Sequence, residues 1–299
     1  MNGPLTLEAL NHCAPETFVA LLDGVWEHAP WVAREAAAGR PYADVDALHC
    51  AMLAIVQGLS EERLRALLRG HPELAGREAR GGLMTADSTH EQGGLALAQL
   101  AQEEAARWDA LNARYRERFG FPFILCVKRH TRASALRCFE RRLAHAPAQE
   151  LAEAVREIGH ITRLRLAARV AGHGLADVAG VLTTHVLDTS RGRPAAGMRV
   201  ALHEWLGDSA AAGTRLLAEA VTDENGQTGA PLLGAQPLRT GRYELRFGVG
   251  DYYRRLGVVQ GDWPFLDVVP VAFGIDDPAG DYHVPLTVTP WAYATYRGQ

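Results

Sequence analysis

Apolar residues recur every three or four positions up to about residue 170, and every second position from about residue 181 onward. The first period is that of a helix with one buried face, the second that of a strand, so the pattern predicts an all-α helical bundle followed by a β-sandwich. Between them, Ala171-Gly172-His173-Gly174-Leu175-Ala176-Asp177-Val178-Ala179-Gly180 is rich in glycine and poor in apolar bulk, which predicts a flexible connection. The expected organisation is a helical domain at 1–169, a linker at 170–180 and a β domain at 181–299.

Within the helical half, Thr6 to Gly39 reads as two or three short helices, with Pro15 suited to a first turn and Gly39 to a stop. Asp44 opens a clearer helix in which Val45, Leu48, Met52, Ile55, Val56 and Leu59 share a face, ending near Gly58. Ser60-Glu61-Glu62 supplies a cap and acids at the positive end of the next helix, whose stripe is Leu64, Leu67 and Leu68. His71 then precedes a proline, which biases it out of helix and leaves it able to face a cavity. A long helix carries Leu97, Leu100, Ala101, Trp108, Leu111 and Tyr115 on one face and stops at Gly120. Two more helices are expected at about 134–143 and 148–168, and the backbone near Pro122 is positioned to line a pocket.

In the β half, Leu182, Thr184 and Val186 point one way while Thr183, His185 and Leu187 point the other, which puts His185 off the core face. Further strands are expected from Met198 to Trp205, Arg215 to Thr222, Arg242 to Val249, Asp267 to Phe273 and Tyr282 to Tyr293, with a short helix at Asp251 to Leu256. Asn225-Gly226 is a strong turn signal between two of them. In the last strand Val284, Leu286 and Val288 share one face, and His283, Pro285 and Thr287 the other.

Composition narrows the function. A formal net charge of -4 spread over both signs gives no basic stripe for nucleic acid. No apolar run approaches a bilayer span and no secretory pattern opens the chain, so a cytoplasmic protein without membrane partners is expected. Cys13, Cys50, Cys126 and Cys138 form no Cys-x-x-Cys pair, which points to buried reduced thiols rather than disulfides or zinc.

Five motifs in one order carry a resemblance: Gly70-His71-Pro72-Glu73-Leu74-Ala75-Gly76, Ser88-x-x-Glu91-Gln92, Leu111-Asn112-x-x-Tyr115, Phe119-Gly120-Phe121-Pro122-Phe123-Ile124 and Leu164-Arg165-Leu166. Together they resemble the 2-oxo-4-hydroxy-4-carboxy-5-ureidoimidazoline (OHCU) decarboxylases of urate catabolism, over roughly residues 5 to 168. The resemblance implies an all-helical, cofactor-free and often dimeric enzyme that makes (S)-allantoin. It implies His71 as acid/base, Glu91 as its carboxylate partner, Ser88 and Gln92 as hydrogen-bonding groups and Arg165 as a clamp for the substrate carboxylate. Pro72, Phe123 and Ile124 join them as substrate-binding positions. Taken singly these residues have plainer readings: Ser88-x-x-Glu91 is also a capping box, His-Pro is a common turn, and an arginine near a helix end is ordinarily solvated.

The β half resembles the transthyretin-like 5-hydroxyisourate hydrolases. The carriers are Leu182-Thr183-Thr184-His185-Val186-Leu187-Asp188, Gly192-x-Pro194-Ala195, Tyr282-His283-Val284-Pro285-Leu286 and Tyr293-x-x-Tyr296-Arg297-Gly298. The resemblance implies a transthyretin-like β-sandwich and a tetramer with sites between subunits, where His185 and His283 activate water without metal or cofactor. The resemblance further implies that the Tyr296-Arg297-Gly298 tail closes that site. The plainer reading is two histidines bonding on a polar sheet face. The chain departs from the family's pattern at Gln227, where an arginine is usual, and at Gln299, where a serine is usual.

The expected whole is a homo-oligomeric, bifunctional enzyme of urate catabolism acting on two small molecules, 5-hydroxyisourate and OHCU, with no cofactor. The alternative is an active decarboxylase fused to a catalytically weak or inactive transthyretin-like module for assembly or binding.

Overall fold

The computed structural model describes residues 5–74, 95, 102–174, 180–207, 212–234, 236–258 and 261–298. Two compact units emerge, one of Met1–Lys128 with Ala135–Ala176, the other of Arg129–Ser134 with Asp177–Gln299. Their buried apolar residues fall into two separate clusters, so each unit has a core of its own.

In the helical unit, α1 (Leu7–His12), α2 (Pro15–Leu21) and α3 (Pro30–Ala36) are the short opening helices, and Pro15 and Pro30 each start one. The fixed φ of proline suits a first turn, where its missing N–H has no partner to lose. α4 (Val45–Gln57) is capped by Asp44, which accepts from the Ala47 amide at 2.7 Å, and ends at Gly58. Val45, Leu48, Met52 and Val56 are buried along it, whereas Ile55 and Leu59 only pack half-buried at the core's margin. α5 (Glu61–Arg69) starts at the Ser60 cap and ends at Gly70. α6 (Gln102–Phe119) buries Trp108, Leu111 and Tyr115; Leu97, Leu100 and Ala101 lie outside the described residues. α7 (Arg132–Arg142) and α8 (Pro147–Arg169) follow.

α8 packs on α4, where buried His49 bonds both the Gly159 carbonyl and the Thr162 hydroxyl at 3.1 Å. Val170–Ala171, the start of the expected linker, instead form strand β2, paired parallel to β1 (Leu5–Thr6). The pairing gives backbone groups at both ends of the unit a partner.

In the β unit, the stretches expected as single strands from Leu182 to Asp188 and from Tyr282 to Tyr293 are each broken. The first becomes β3 (Leu182–Thr183) and β4 (Val186–Asp188), the second β10 (Tyr282–His283), β11 (Leu286–Val288) and β12 (Tyr293–Thr295). The breaks face each other at Thr184-His185 and Val284-Pro285. Pro285 has no amide hydrogen for the ladder, and Thr184 turns its hydroxyl onto the Val284 carbonyl at 2.7 Å. Every second amide still bonds across: Tyr282 to Val181, Val284 to Thr183 and Leu286 to His185. With β5 (Arg193–Pro194), one four-stranded sheet runs β12-β11-β4-β5. The other runs β7-β6-β8-β9, built from β6 (Arg199–Trp205), β7 (Thr214–Val221), β8 (Gly241–Gly248) and β9 (Val268–Ile275). A short helix α9 (Val249–Arg255) lies between β8 and β9. The expected alternation holds except at one position: Leu182, Thr184, Val186, Leu286 and Val288 are at most 2% exposed and Thr183, His185, Leu187, His283 and Thr287 are half-buried, but Pro285, expected on the outward face, is buried at the break.

The cysteines need a correction. All four are free, but only Cys126 and Cys138 are buried; Cys13 is half-buried and Cys50 exposed, on the outward side of α4. Among the described residues, no helix is long and apolar enough to cross a membrane.

Candidate active sites

The helical unit gathers its candidate chemistry where α5 stops. Gly70 ends the helix, and His71 follows with its side chain 8% exposed. His71, Pro72, Phe123, Ile124 and Arg165, five of the positions singled out in the sequence, line one pocket together with Glu27, Leu74 and Ile161. Arg165 reaches it from α8, almost fully buried, and donates to the Gly24 carbonyl at 3.2 Å. Ser88, Glu91 and Gln92 lie outside the described residues.

Glu27 was not anticipated. It sits in the loop between α2 and α3, 6% exposed, with Oε2 3.6 Å from His71 Nδ1 and 3.5 Å from an Arg165 nitrogen. The signal was present but weak: a lone acid between Trp26 and a proline-started helix, with Val25, Trp26 and Ala29 all buried around it.

Burial dominates the titration of His71 and holds its pKa below the ordinary 6.5; the Glu27 carboxylate pulls the other way, and Arg165 and His28 add to the lowering. His71 is therefore neutral at pH 7, and the 3.6 Å approach to Glu27 is a proximity rather than an ion pair. A neutral imidazole can take a proton, and a guanidinium beside it can grip a carboxylate with two parallel bonds.

In the β unit, His283 on β10 and His185 in the break after β3 occupy the same outward face of adjacent parallel strands. His185 Nδ1 lies 2.7 Å from His283 Nε2, and the other ring nitrogen of His283 lies 2.8 Å from the Thr183 hydroxyl. Burial, then repulsion from His185, lowers the His283 pKa. Neutral rings joined in this way form a short relay in which one donates and the other accepts.

Gln227 pairs with His185 in an isolated bridge at the end of the Asn225-Gly226 turn. That turn needs its glycine: Gly226 has φ of 74°, and a Cβ there would meet the Val186 carbonyl oxygen at 2.3 Å. The C-terminal tail also reaches the site, because Gly298 donates to the His283 carbonyl at 2.8 Å and a Cβ on it would fall 2.5 Å from the His283 ring. Arg297 lies over the Tyr282 ring at 4.8 Å, whereas Tyr296 is 58% exposed. Gln299 lies outside the described residues.

Two imidazole-centred clusters, each of a kind able to move a proton, thus lie on separate folds, one helical and one a β-sandwich. The OHCU decarboxylase family model matches residues 11–167, and the HIUase/transthyretin family model matches residues 182–298. The helical part is 38% identical over 165 residues to a 2-oxo-4-hydroxy-4-carboxy-5-ureidoimidazoline decarboxylase of Haloferax volcanii, covering 55% of this chain and 96% of that one. The β part is 53% identical over 117 residues to a 5-hydroxyisourate hydrolase of Deinococcus radiodurans, covering 39% of this chain and 94% of that one. A crystal structure of (S)-allantoin synthase aligns over 99% of this chain and 100% of its own, with a TM-score of 0.54 and 34% identity. The chain belongs to the OHCU decarboxylase family, fused to a C-terminal part of the HIUase/transthyretin family.

Proposed function

We propose that this chain is a bifunctional enzyme of urate catabolism, a hydrolase and a carboxy-lyase in one polypeptide. The β part opens the ring of 5-hydroxyisourate with water to give OHCU, and the helical part decarboxylates OHCU to (S)-allantoin. The observation that carries this reading is that each part spans nearly the whole of a single-activity relative while presenting an imidazole centre with a neutral ring at pH 7.

In the hydrolase step, the His185–His283 pair activates the attacking water: both nitrogens of His283 are engaged, by His185 and Thr183, so His185 Nε2 is the one that accepts the proton and His283 supports it from behind. The proton passes to the ring nitrogen that leaves as the amide bond breaks. Gln227 donates a neutral hydrogen bond where an arginine would bring charge, and Arg297 with Tyr296 closes the site. In the decarboxylase step, Arg165 grips the carboxylate and His71 takes a proton from the substrate hydroxyl. Carbon dioxide leaves, and the electron pair of the broken C–C bond spreads into the adjoining imine. The proton held by His71 returns to carbon on one face as the former hydroxyl becomes a carbonyl, and the imine nitrogen takes a proton from water. Pro72, Phe123 and Ile124 shape the pocket, Glu27 and Glu91 tune the imidazole, and Ser88 and Gln92 bind the ureide.

The matching division of labour is a helical part that runs to Ala171, a connection from there to 180, and a β part at 181–299. A homo-oligomer is expected from the transthyretin-like part, and four free cysteines suit the cytoplasm. The test follows the ultraviolet decay of freshly made 5-hydroxyisourate and then of OHCU, with chiral analysis of the product. The reading predicts acceleration of both steps and an excess of (S)-allantoin. Decay of either compound at the buffer rate removes that activity from the chain.

The departure at Gln227 favours a second reading, in which the β part is a weak or inactive module. Rapid OHCU formation by the wild-type chain excludes it.

A further inference from the structure

Behind the Phe123-Ile124 wall of the decarboxylase pocket lies a charged group whose side chains are closed off from the solvent. Arg142, at the end of α7, and Glu150, in the first turn of α8, are both 0% exposed. Arg142 directs Nε and Nη2 to one Glu150 oxygen at 2.8 and 2.6 Å. The Tyr115 hydroxyl donates to the same oxygen, and His145 lies 2.8 Å from the other. The remaining arm of the guanidinium donates to the Ile124 carbonyl at 2.8 Å, and its carbon lies 4.6 Å from the centre of the Phe123 ring. That ring also stacks on Phe139 at 3.8 Å.

A buried ion pair is a poor device for stability alone, because apolar residues of equal volume commonly serve as well or better. What this one achieves is read from what it touches. Beyond its partners Glu150 and Tyr115, the guanidinium reaches two adjacent residues that line the pocket, Ile124 and Phe123. We propose that Arg142 is a positioning residue for decarboxylation, held by Glu150 and Tyr115, and that it fixes the Ile124 carbonyl and the Phe123 ring where the substrate lies against them. This rests on the decarboxylase reading of the pocket. Glu157, which accepts from the Cys126 amide at 2.7 Å, pins the same tract two residues further on.

Arg142→Lys keeps a positive charge for Glu150 but lacks the planar fork that also spans to Ile124. It is expected to lower decarboxylation kcat/KM by about 10- to 100-fold, in line with the effect of an ångström-scale misplacement. KM should rise several-fold, which a smaller folded fraction cannot produce. Hydrolysis of 5-hydroxyisourate by the same preparation should be unchanged, and Phe123 and Ile124 should be displaced in a crystal structure of the variant. If Arg142→Lys does not fold, Tyr115→Phe, which removes one donor from Glu150, takes its place, with a smaller rise in KM expected. A folded variant with wild-type kcat and KM overturns the positioning role while leaving the pocket's assignment intact. Failure of the wild-type chain to decarboxylate overturns both.

Discussion

His185 Nδ1 and His283 Nε2 are 2.7 Å apart, so one proton is shared along a line that continues through the far side of His283 to Thr183. Protonating both rings would put two donors face to face. The hydrolase therefore needs at least one neutral imidazole, and its rate should fall as pH drops through the region below 6.5. The pH profile of initial rates checks this. His185→Ala and His283→Ala should each cost at least about 100-fold in 5-hydroxyisourate turnover, the lower end of general acid–base effects.

Thr183→Val removes the partner of His283 Nδ1 without changing side-chain volume greatly. The lost hydrogen bond is worth about 0.5–1.5 kcal/mol, so hydrolysis should slow by roughly 2- to 10-fold with thermal stability preserved. An unchanged rate would show that the hydroxyl does not orient the ring.

Glu27→Gln withdraws the negative charge that partly offsets burial at His71. The acid limb of the decarboxylation profile should move to lower pH, because an imidazolium loses a compensating carboxylate. Arg165 loses a partner at the same time, and kcat/KM should fall by about 10-fold or more, the weight of one charged hydrogen bond. Steady-state kinetics across pH separates the two effects.

Folding stability should also depend on pH in a definite direction. His49, His71 and His283 all have pKa values lowered by burial, so in the folded chain they hold fewer protons than when unfolded. Stability then rises with pH in the window between the folded values and 6.5; it is complete above 6.5 and lost progressively on acidification. Urea unfolding at a series of pH values from 7.5 downward measures it.

Gln227→Arg restores a cation beside His185. If a charged donor is what the site lacks, 5-hydroxyisourate turnover should rise by about 10-fold or more. No rise would mean that another group already supplies that charge.

The parity of the β segments was legible because one face of each had to be buried, which sorted His185 and His283 outward without any knowledge of pairing. Periodicity did not reveal their mutual contact, which only the family resemblance implied, because register between residues 98 positions apart is written in no local pattern. The break opposite Pro285 illustrates the same limit: a proline forbids one ladder bond, but only the neighbouring strand decides where the chain gives way. Arg165 and Glu27 differ in a similar way. A motif carried the arginine, whereas the glutamate came to the pocket through the fold of a loop that no spacing rule describes. The thiols were misjudged at Cys50 because it falls on the outward side of α4, which composition alone cannot reveal.

The ladder of Leu5–Thr6 against Val170–Ala171 means that the helical unit's way in and way out are neighbours. A module whose two ends meet can be cut free or spliced beside another without disturbing what it encloses. Bridging residues 5 and 171 with a few glycines and opening the chain at an exposed turn elsewhere should give a rearranged polypeptide that still folds, and such tolerance is what joining two ready-made catalysts in one gene requires.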